Sequence, residues 1–308
     1  MRSVETGLRP TFLILGAYKA GTTSIHHYLK QHPQIFMSQI KEIRFLTYAG
    51  HQELPLSPIE FASLPWKVQS LAEYEDLFAS TDVFPVRGDV SPCYLAFPVQ
   101  TIRGIKKYTP EAKLIAILRH PADRAYSSFV GLVNKGREEE VDFRCSLKLE
   151  ARSAVRKING LQRRDFIESF YFESLQHYFQ SFPREQIKIY LYDDLQQNPV
   201  QLIQDIFRFI GVDDSFVPDM SVRHNPAGWP RFESASLFIR RAENFLIRAI
   251  RHLPKPVNGY AENQFKLLTR TKAPPLDPAL RRDLIALYRE DILRTQDLIK
   301  RDLSHWLR

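Results

Sequence analysis

The chain has 308 residues, of which 44% are hydrophobic and 25% are charged. This is the composition of a globular protein with a full core, and only 12 glycines argue against a collagen-like or low-complexity chain. The 43 basic and 35 acidic side chains give a formal net charge of +8, which favours anionic partners such as nucleotides, polyanionic glycans, acidic lipids or nucleic acid.

The two cysteines, Cys93 and Cys145, provide neither a disulfide framework nor the Cys/His spacing of a metal site. Residues 1–10 lack the apolar core of a signal peptide, and no apolar run approaches the roughly 20 residues of a membrane span. The sequence therefore predicts a soluble protein of a reducing compartment, with the cytosol as the default.

The first predicted element is a short apolar strand over Thr11–Leu15, buried on both faces. A loop bounded by Gly16 and Gly21 follows, and the spacing of apolar residues predicts a helix from Thr22 onward. Further buried strands are predicted at Val86–Val90, Leu114–Leu118 and Ile187–Leu191. Helices between and after them are predicted at Val99–Tyr108, Asp123–Val133 and Phe166–Phe182.

This alternation of strands and helices predicts an α/β fold with a P-loop-like parallel sheet flanked by helices. Residues from about 234 to 308 are predicted to form a helical C-terminal extension of a single domain over residues 1–308. The extension includes a basic amphipathic helix at Ser234–Leu253 and a last helix at Ala279–Leu303. We expect the basic helix to pack on the domain, although such a helix can also lie on a membrane surface.

The loop between the first strand and the first helix has the arrangement that binds phosphate, with backbone N–H groups and a helix N-terminus converging on the anion. Its glycines keep the spacing of a P-loop, but Thr22 stands where a nucleotide triphosphatase needs lysine. The lysine lies inside the loop, as Lys19. From there it can reach the bridging oxygen at a 5′-phosphate, where negative charge grows as a leaving group departs.

A second segment begins where the strand Leu114–Leu118 ends, in Arg119. Asp123 is placed to cap the helix that follows, and Ser127 lies in the first turns of that helix. A strand-end arginine and such a serine can together hold a second phosphate. No aspartate is evident at the end of a neighbouring strand to help hold Mg²⁺, so the sequence predicts that no metal is required.

Together the two segments resemble the sulfotransferases that use 3′-phosphoadenosine-5′-phosphosulfate (PAPS). Lys19–Ser24 is similar to the 5′-phosphosulfate loop of that family, and Arg119–Ser127 is similar to its 3′-phosphate motif. Lys41–Leu46 and Gly88–Tyr94 resemble segments of the glycan-type, heparan sulfate-like branch. The segments Phe182–Ile187 and Leu280–Trp306 resemble bacterial members.

The resemblance implies a sulfotransferase that uses PAPS as donor and releases 3′,5′-adenosine bisphosphate. It implies that Lys19 is the catalytic lysine and that Glu42 takes the acceptor proton. If Glu42 is not the base, His26 or His120 is the next candidate. Arg119 and Ser127 would bind the 3′-phosphate. At the 5′ end of the donor, the resemblance implies binding by the loop residues Lys19, Ala20, Gly21, Thr22, Thr23 and Ser24.

Two departures from the glycan-type pattern bear on the acceptor: Arg44 stands where that pattern has histidine, and Val90 where it often has lysine. The Lys41–Glu42 segment favours a carbohydrate-like hydroxyl, while an amine or another hydroxylated small molecule remains open as the acceptor. The family closes over its donor with a basic loop near the C-terminus. The candidate here is Arg223–Arg231, from which Arg231 would contact the donor phosphate.

Two functions of other classes compete with this interpretation. A P-loop kinase or nucleotide hydrolase would depend on Mg²⁺, and the lysine position argues against it. A non-catalytic polyanion-binding protein would show strongly salt-dependent binding without PAPS. No nucleic-acid motif is found, and aromatic residues are not interleaved with the basic residues of 152–164, so nucleic acid is not an expected partner.

Overall fold

The structure is a computed structural model that describes residues 9–49, 68–79, 84–134, 138, 140, 142–152, 157–158, 161–162, 167–221, 229–230, 245–246, 249–250, 261 and 270–308. The described residues fall into two compact units. The first unit is drawn from Met1–Pro121, Phe170–His224 and Leu287–Arg308, and the second from Ala122–Ser169 and Asn225–Ala286. The expectation of a single domain over residues 1–308 stays a prediction.

A five-stranded sheet forms the core of the first unit. Its strands are β1 (Phe12–Gly16), β2 (Ile35–Met37), β3 (Val86–Val90), β4 (Lys113–Leu118) and β7 (Ile187–Leu191). They are arranged in the order β2-β3-β1-β4-β7, and all four pairings are parallel. Every residue of β1 and β3 is buried, as expected for strands covered on both faces.

Helices flank the sheet, as predicted. Those of the first unit are α1 (Thr22–Leu29), α2 (Phe45–Ala49), α3 (Leu71–Asp76), α4 (Cys93–Ala96), α5 (Pro98–Tyr108), α8 (Phe172–Ser181), α9 (Tyr192–Gln197) and α10 (Pro199–Ile210). The unit also contains short 3₁₀ turns at Arg184–Gln186 and Ser304–Leu307. The last long helix, α11 (Pro278–Ile299), contributes residues to both units.

The second unit contains helices α6 (Pro121–Asn134), counted from Ala122, and α7 (Phe143–Arg152). Two short antiparallel pairs belong to it: β5 (Lys157–Ile158) with β6 (Leu161–Gln162), and β8 (Trp229–Pro230) with β9 (Arg270–Thr271). A 3₁₀ turn lies at Ile167–Ser169. Its aromatic side chains Tyr126, Phe129 and Phe143 pack together, with the Phe129 and Phe143 ring centroids 4.9 Å apart.

The four predicted strands are confirmed to within one residue. Strands β1, β4 and β7 are largely apolar, whereas β3 carries Arg87 and Asp89 between its terminal valines. Strand β2 was not predicted, since only three residues follow a His-Pro-Gln turn. The helix predicted at Phe166–Phe182 is shorter and begins at Phe172 after the 3₁₀ turn. The predicted basic helix at Ser234–Leu253 lies almost wholly outside the described residues.

The cap predicted for Asp123 is wrong. Helix α6 begins at Pro121, so Asp123 lies inside its first turn and forms an ion pair with Arg281. Proline suits the first position of a helix because that position needs no N–H partner. Both cysteines are free thiols, Cys93 buried and Cys145 exposed. Among the described helices, none combines the length and apolar character needed to span a bilayer.

Candidate active site

The carboxyl ends of β3, β1 and β4 lie next to one another at one edge of the sheet. Strand β1 has β3 on one side and β4 on the other. Ligands of open α/β sheets bind outside the carboxyl ends of the strands at such a point. The loop Gly16–Gly21 leaves β1 here, and the N–H of Ala17 donates to the carbonyl of Ile117 in β4 at 2.7 Å. The fold therefore holds the predicted phosphate loop at this edge.

Helix α1 begins directly after this loop without a side-chain cap. Gly21 occupies the N-cap position with φ 89°, and no side chain accepts from the first turn in the manner of a cap. The first intrahelical bond runs from Ile25 N to Gly21 O at 3.2 Å. The N–H groups of Thr22, Thr23 and Ser24 thus have no intrahelical acceptor, which is the arrangement that binds an anion.

Gly21 is required by its surroundings as well as by its backbone. A Cβ atom at this position would lie 2.7 Å from Leu195 Cδ2 and 3.2 Å from the ring of Tyr192. Both residues belong to α9, which follows β7. Helix α9 therefore packs against the predicted phosphate loop on one side.

Arg119, at the end of β4, joins the two predicted donor segments. Its Nη1 donates to the carbonyl of Lys19 at 3.0 Å, and its guanidinium lies 4.8 Å from the centroid of the Tyr192 ring. The Tyr171 hydroxyl donates to the Arg119 carbonyl at 2.8 Å. Lys19 itself is exposed and has a left-handed backbone with φ 66°. The structure thus brings Lys19 and Arg119, which are distant in sequence, to the same loop.

The segment that carries Glu42 also returns to this edge of the sheet. The Glu42 N–H donates to the carbonyl of Val90 at the end of β3 at 2.9 Å, and Lys41 Nζ donates to Thr23 Oγ1 in the first turn of α1. The Glu42 carboxylate pairs with Arg44 Nη2 at 2.5 Å. The candidate base is therefore held beside the N-terminus of α1.

A buried carboxylate lies beneath this segment and was missed in the sequence. Asp89 of β3 is fully buried and accepts hydrogen bonds from the hydroxyls of Tyr94 (2.5 Å), Ser91 (2.9 Å) and Tyr74 (3.2 Å). Ser91 Oγ in turn accepts from the Arg44 N–H at 3.1 Å. The expectation that no strand-end aspartate neighbours the loop is thus wrong, although this aspartate is surrounded by hydroxyl donors.

The two histidines that are the next candidates for the base, His26 and His120, each form a hydrogen bond to a backbone carbonyl of another segment. His26 is buried in α1, and its Nε2 lies 3.2 Å from the Ser38 carbonyl, so Nε2 carries the proton. Burial lowers the pKa of His26 to about 4, which keeps the ring neutral near pH 7. His120 is also buried and donates from Nε2 to the carbonyl of Trp306 at 2.9 Å. Both histidines therefore have structural hydrogen bonds.

None of these contacts involves Ser127 or Arg231, the other two residues predicted to bind the PAPS donor. Ser127 is half-buried on α6 and belongs to the second unit, and its role stays a prediction. In that unit Arg124 is fully buried and donates from Nε to Ser169 Oγ at 2.8 Å. Arg231 and the loop Arg223–Arg231 lie outside the described residues, apart from Trp229–Pro230.

The first turn of α1 has backbone N–H groups that could bind an anion, and Lys19 and Arg119 bring two cations to the same loop. Glu42 lies on the segment that contacts this turn through Lys41, and its role as the base stays a prediction. In the part of the chain that the structure describes, no group of three or more His, Cys, Asp or Glu side chains is arranged to hold a metal ion.

Comparison with known proteins agrees with this geometry. A family profile described as the sulfotransferase domain matches residues 9–225. The crystal structure of a sulfotransferase from Alicyclobacillus acidocaldarius superposes with a TM-score of 0.71 at 28% sequence identity, covering 97% of this chain and 99% of that chain.

Among curated proteins, the human bifunctional heparan sulfate N-deacetylase/N-sulfotransferase 2 is 30% identical over 209 residues. The match covers 66% of this chain and 22% of that protein, so the chain spans about a fifth of the length of this relative. The membrane-associated sulfotransferase kil1 of Dictyostelium discoideum is 22% identical, with 70% of this chain and 60% of that protein covered. Because the family profile spans more than half of the chain and includes both donor segments, the chain belongs to the sulfotransferase family.

Proposed function

We propose that this protein transfers the sulfuryl group of PAPS to a hydroxyl, or an amine, of a carbohydrate-like acceptor. The observation that carries the proposal is the return of the Glu42 segment to the uncapped N-terminus of α1. A site for an anionic donor and a candidate base for the acceptor thus lie together. Family membership supports the reaction class.

The residues present fit a donor with a 5′-phosphosulfate. The N–H groups of Thr22, Thr23 and Ser24 have no acceptor within α1, and the positive end of the helix favours an anion. Gly21 lets the donor approach the backbone closely. Lys19 Nζ, on an exposed side chain of the same loop, would donate to the oxygen that bridges the phosphate and the sulfuryl group.

The donor supplies an activated sulfuryl group. Glu42 accepts the proton of the acceptor hydroxyl as the acceptor oxygen bonds to sulfur, since an alcohol is a poor nucleophile while it keeps its proton. The bond between sulfur and the bridging oxygen breaks, and Lys19 stabilises the negative charge left on 3′,5′-adenosine bisphosphate. The proton ends on Glu42, and the sulfuryl group ends on the acceptor oxygen.

Arg119 is the proposed ligand of the 3′-phosphate. Its guanidinium stacks on Tyr192 and uses Nη1 for the Lys19 carbonyl, so its other N–H groups can form charge-assisted bonds to phosphate. Such a bond contributes about 1.5–3 kcal/mol, and the protein should prefer 3′,5′-adenosine bisphosphate to AMP. Equal affinities for both nucleotides in calorimetry would contradict this assignment.

The acceptor class rests on the Lys41–Glu42 segment and on the relatives, one of which is named as a heparan sulfate N-sulfotransferase. Lys41 and Arg44 put two cations beside the candidate base. These charges favour an acceptor that carries anionic groups close to the reacting hydroxyl or amine.

The test is the transfer of ³⁵S from labelled PAPS to a panel of acidic and neutral saccharides and small hydroxylated compounds. We expect label on a saccharide, activity that persists in EDTA, and no turnover with ATP as donor. Phosphoryl transfer from ATP that EDTA abolishes would instead favour the P-loop kinase. Salt-dependent glycan binding without transfer would favour a non-catalytic polyanion-binding protein.

A further inference from the structure

Trp306 lies more than 180 residues from Arg119 in the sequence, yet it contacts several residues that lie close to Arg119. The side chain is 1% exposed and belongs to the 3₁₀ turn Ser304–Leu307. Its indole N–H donates to Asp193 Oδ2 at 2.9 Å, and its carbonyl accepts from His120 Nε2 at 2.9 Å. The indole centroid lies 6.4 Å from that of the Tyr171 ring.

Each of these three partners acts on Arg119 or on the ring beneath it. His120 follows Arg119 directly in the chain, and Asp193 directly follows Tyr192, the ring on which the guanidinium stacks. The Tyr171 hydroxyl bonds the backbone of Arg119, donating to its carbonyl at 2.8 Å and accepting from its N–H at 3.4 Å. Trp306 therefore contacts Tyr171, which bonds the backbone of Arg119, and the residues that follow Arg119 and Tyr192 in the chain.

We propose that Trp306 is a positioning residue for the Arg119 guanidinium, and so for recognition of the donor 3′-phosphate. This inference rests on the proposed function, in which Arg119 binds that phosphate. The bond from the indole N–H to the Asp193 carboxylate anchors the first turn of α9 and thereby the ring of Tyr192. The bond from His120 to the Trp306 carbonyl fixes the main chain directly after Arg119.

The geometry accounts for why an indole is needed here. Phenylalanine would fill most of the same space but would leave the Asp193 carboxylate with one donor fewer. Of the bonds to Asp193 Oδ2, the one from His305 Nε2 (3.1 Å) would then remain. A helix of six residues such as α9 has little stability of its own, so its first turn depends on tertiary contacts.

The test compares the affinities for 3′,5′-adenosine bisphosphate and AMP by isothermal titration calorimetry in Trp306→Phe and Asp193→Asn. In both variants we expect the preference for the bisphosphate to fall, by about tenfold in Trp306→Phe, because the guanidinium is no longer held towards the 3′-phosphate. Affinity for AMP should stay near that of the wild type. The KM for PAPS should rise more than kcat falls, as expected when binding common to ground and transition states is lost.

Phe78→Leu is the matched control, because Phe78 is a fully buried aromatic residue that packs on Phe36 of the edge strand β2. It should lower the melting temperature without changing the nucleotide preference. If Trp306→Phe and Asp193→Asn weaken both nucleotides by the same factor, Trp306 is merely structural and the inference is overturned.

Arg119→Ala separates this inference from the function on which it rests. If Arg119→Ala lowers the preference for the bisphosphate while Trp306→Phe and Asp193→Asn leave it unchanged, only the inference fails. If Arg119→Ala also leaves the preference unchanged, the 3′-phosphate assignment in the proposed function fails together with it.

Discussion

Lys19, Glu42 and Arg44 share a backbone conformation that residues with a side chain rarely adopt, with φ values of 66°, 59° and 67°. Each such residue costs of the order of 1–3 kcal/mol and persists only where its surroundings hold it. Here the Lys19 carbonyl is bound by Arg119, the Glu42 N–H by Val90 and the Arg44 N–H by Ser91. The hydrogen bonds thus hold the strained residues of the proposed reaction in place.

Replacing Lys19 with alanine should lower kcat by about 10²–10³, the usual cost of losing one donor to a developing oxyanion. Because Lys19 is exposed, the melting temperature and the affinity for 3′,5′-adenosine bisphosphate should change little. Lys30→Ala, at the opposite end of α1 and also exposed, is the control and should keep full turnover. Sulfate transfer at saturating PAPS measures the effect, and near-normal turnover in Lys19→Ala would refute the loop assignment.

Replacing Glu42 with glutamine keeps the shape of the side chain and removes the base. We expect turnover to fall by roughly 10²–10⁴, the range for a general base, while binding of the bisphosphate is retained. Glu75→Gln is a close control, because the Glu75 side chain is also 28% exposed and also pairs with an arginine, Arg9. If Glu42→Gln keeps most of its activity, another residue must take the acceptor proton.

At the scale of elements, the sequence predicted four of the five strands of the sheet, because β1, β4 and β7 are largely apolar and β3 begins and ends in valine. It also predicted the loop between β1 and α1, because the glycine spacing that defines this loop is local. Binding of phosphate there stays a prediction. Asp89 was missed as a feature of the site, because what defines this carboxylate is burial and the hydroxyls of Tyr74 and Tyr94, which other elements supply. Periodicity within a segment carries no information about such partners.

Replacing Gly21 with alanine should affect both stability and donor binding. The new Cβ would combine a left-handed backbone with a contact of 2.7 Å to Leu195, so we expect a loss of about 1–3 kcal/mol in the free energy of unfolding. Binding of the bisphosphate should weaken because Tyr192, which supports Arg119, is displaced. Chemical denaturation and calorimetry measure the two effects.

Gly211→Ala is the matched control for this substitution. Gly211 has nearly the same φ, 84° against 89°, but nothing lies within 4 Å of its Cβ position. Gly211→Ala should therefore lose only the free energy of unfolding that the left-handed backbone costs, and it should leave nucleotide affinity unchanged. Equal losses of stability in the two variants would mean that α9 does not pack against Gly21 as closely as the structure indicates.

At the scale of the molecule, the contacts that complete the site join residues distant in the chain. The bond from Arg119 to Lys19 spans 100 residues, and that from His120 to Trp306 spans 186. The sequence motifs predicted candidate donor-binding residues, but the contacts that support those residues follow from tertiary packing. Helix α9, Tyr171 and Trp306 were therefore not predicted as parts of the site.

Asp89 connects the site to the pH dependence of the whole fold. Burial raises the pKa of its carboxyl from the ordinary 3.8 to about 6, against hydrogen bonds from Tyr94, Ser91 and Tyr74 that lower it. Because the folded-state pKa lies above the unfolded one, the folded protein binds more protons between these two values. The stability contributed by Asp89 is thus fully present below about pH 4 and is lost as the pH rises through about 6.

Replacing Asp89 with asparagine should remove this dependence. The free energy of unfolding of Asp89→Asn minus that of the wild type should rise by about 1.4 kcal/mol per pH unit across the window, on the order of 3 kcal/mol in total. Urea denaturation at several values between pH 4 and 7 measures the difference. Asparagine cannot accept all three hydroxyl bonds equally well, so a constant offset is expected and only the slope is diagnostic.

Asp205→Asn provides a control of opposite sign. Burial opposes the shift, but hydrogen bonds from Lys188 and Tyr190 outweigh it and hold the pKa of Asp205 below its ordinary value. Its contribution to stability is therefore present above the unfolded pKa and is lost as the pH falls, so the difference between Asp205→Asn and the wild type should shrink towards low pH. A flat difference for Asp89→Asn across the same range would mean that the hydroxyls of Tyr94, Ser91 and Tyr74 fully offset the burial of this carboxylate.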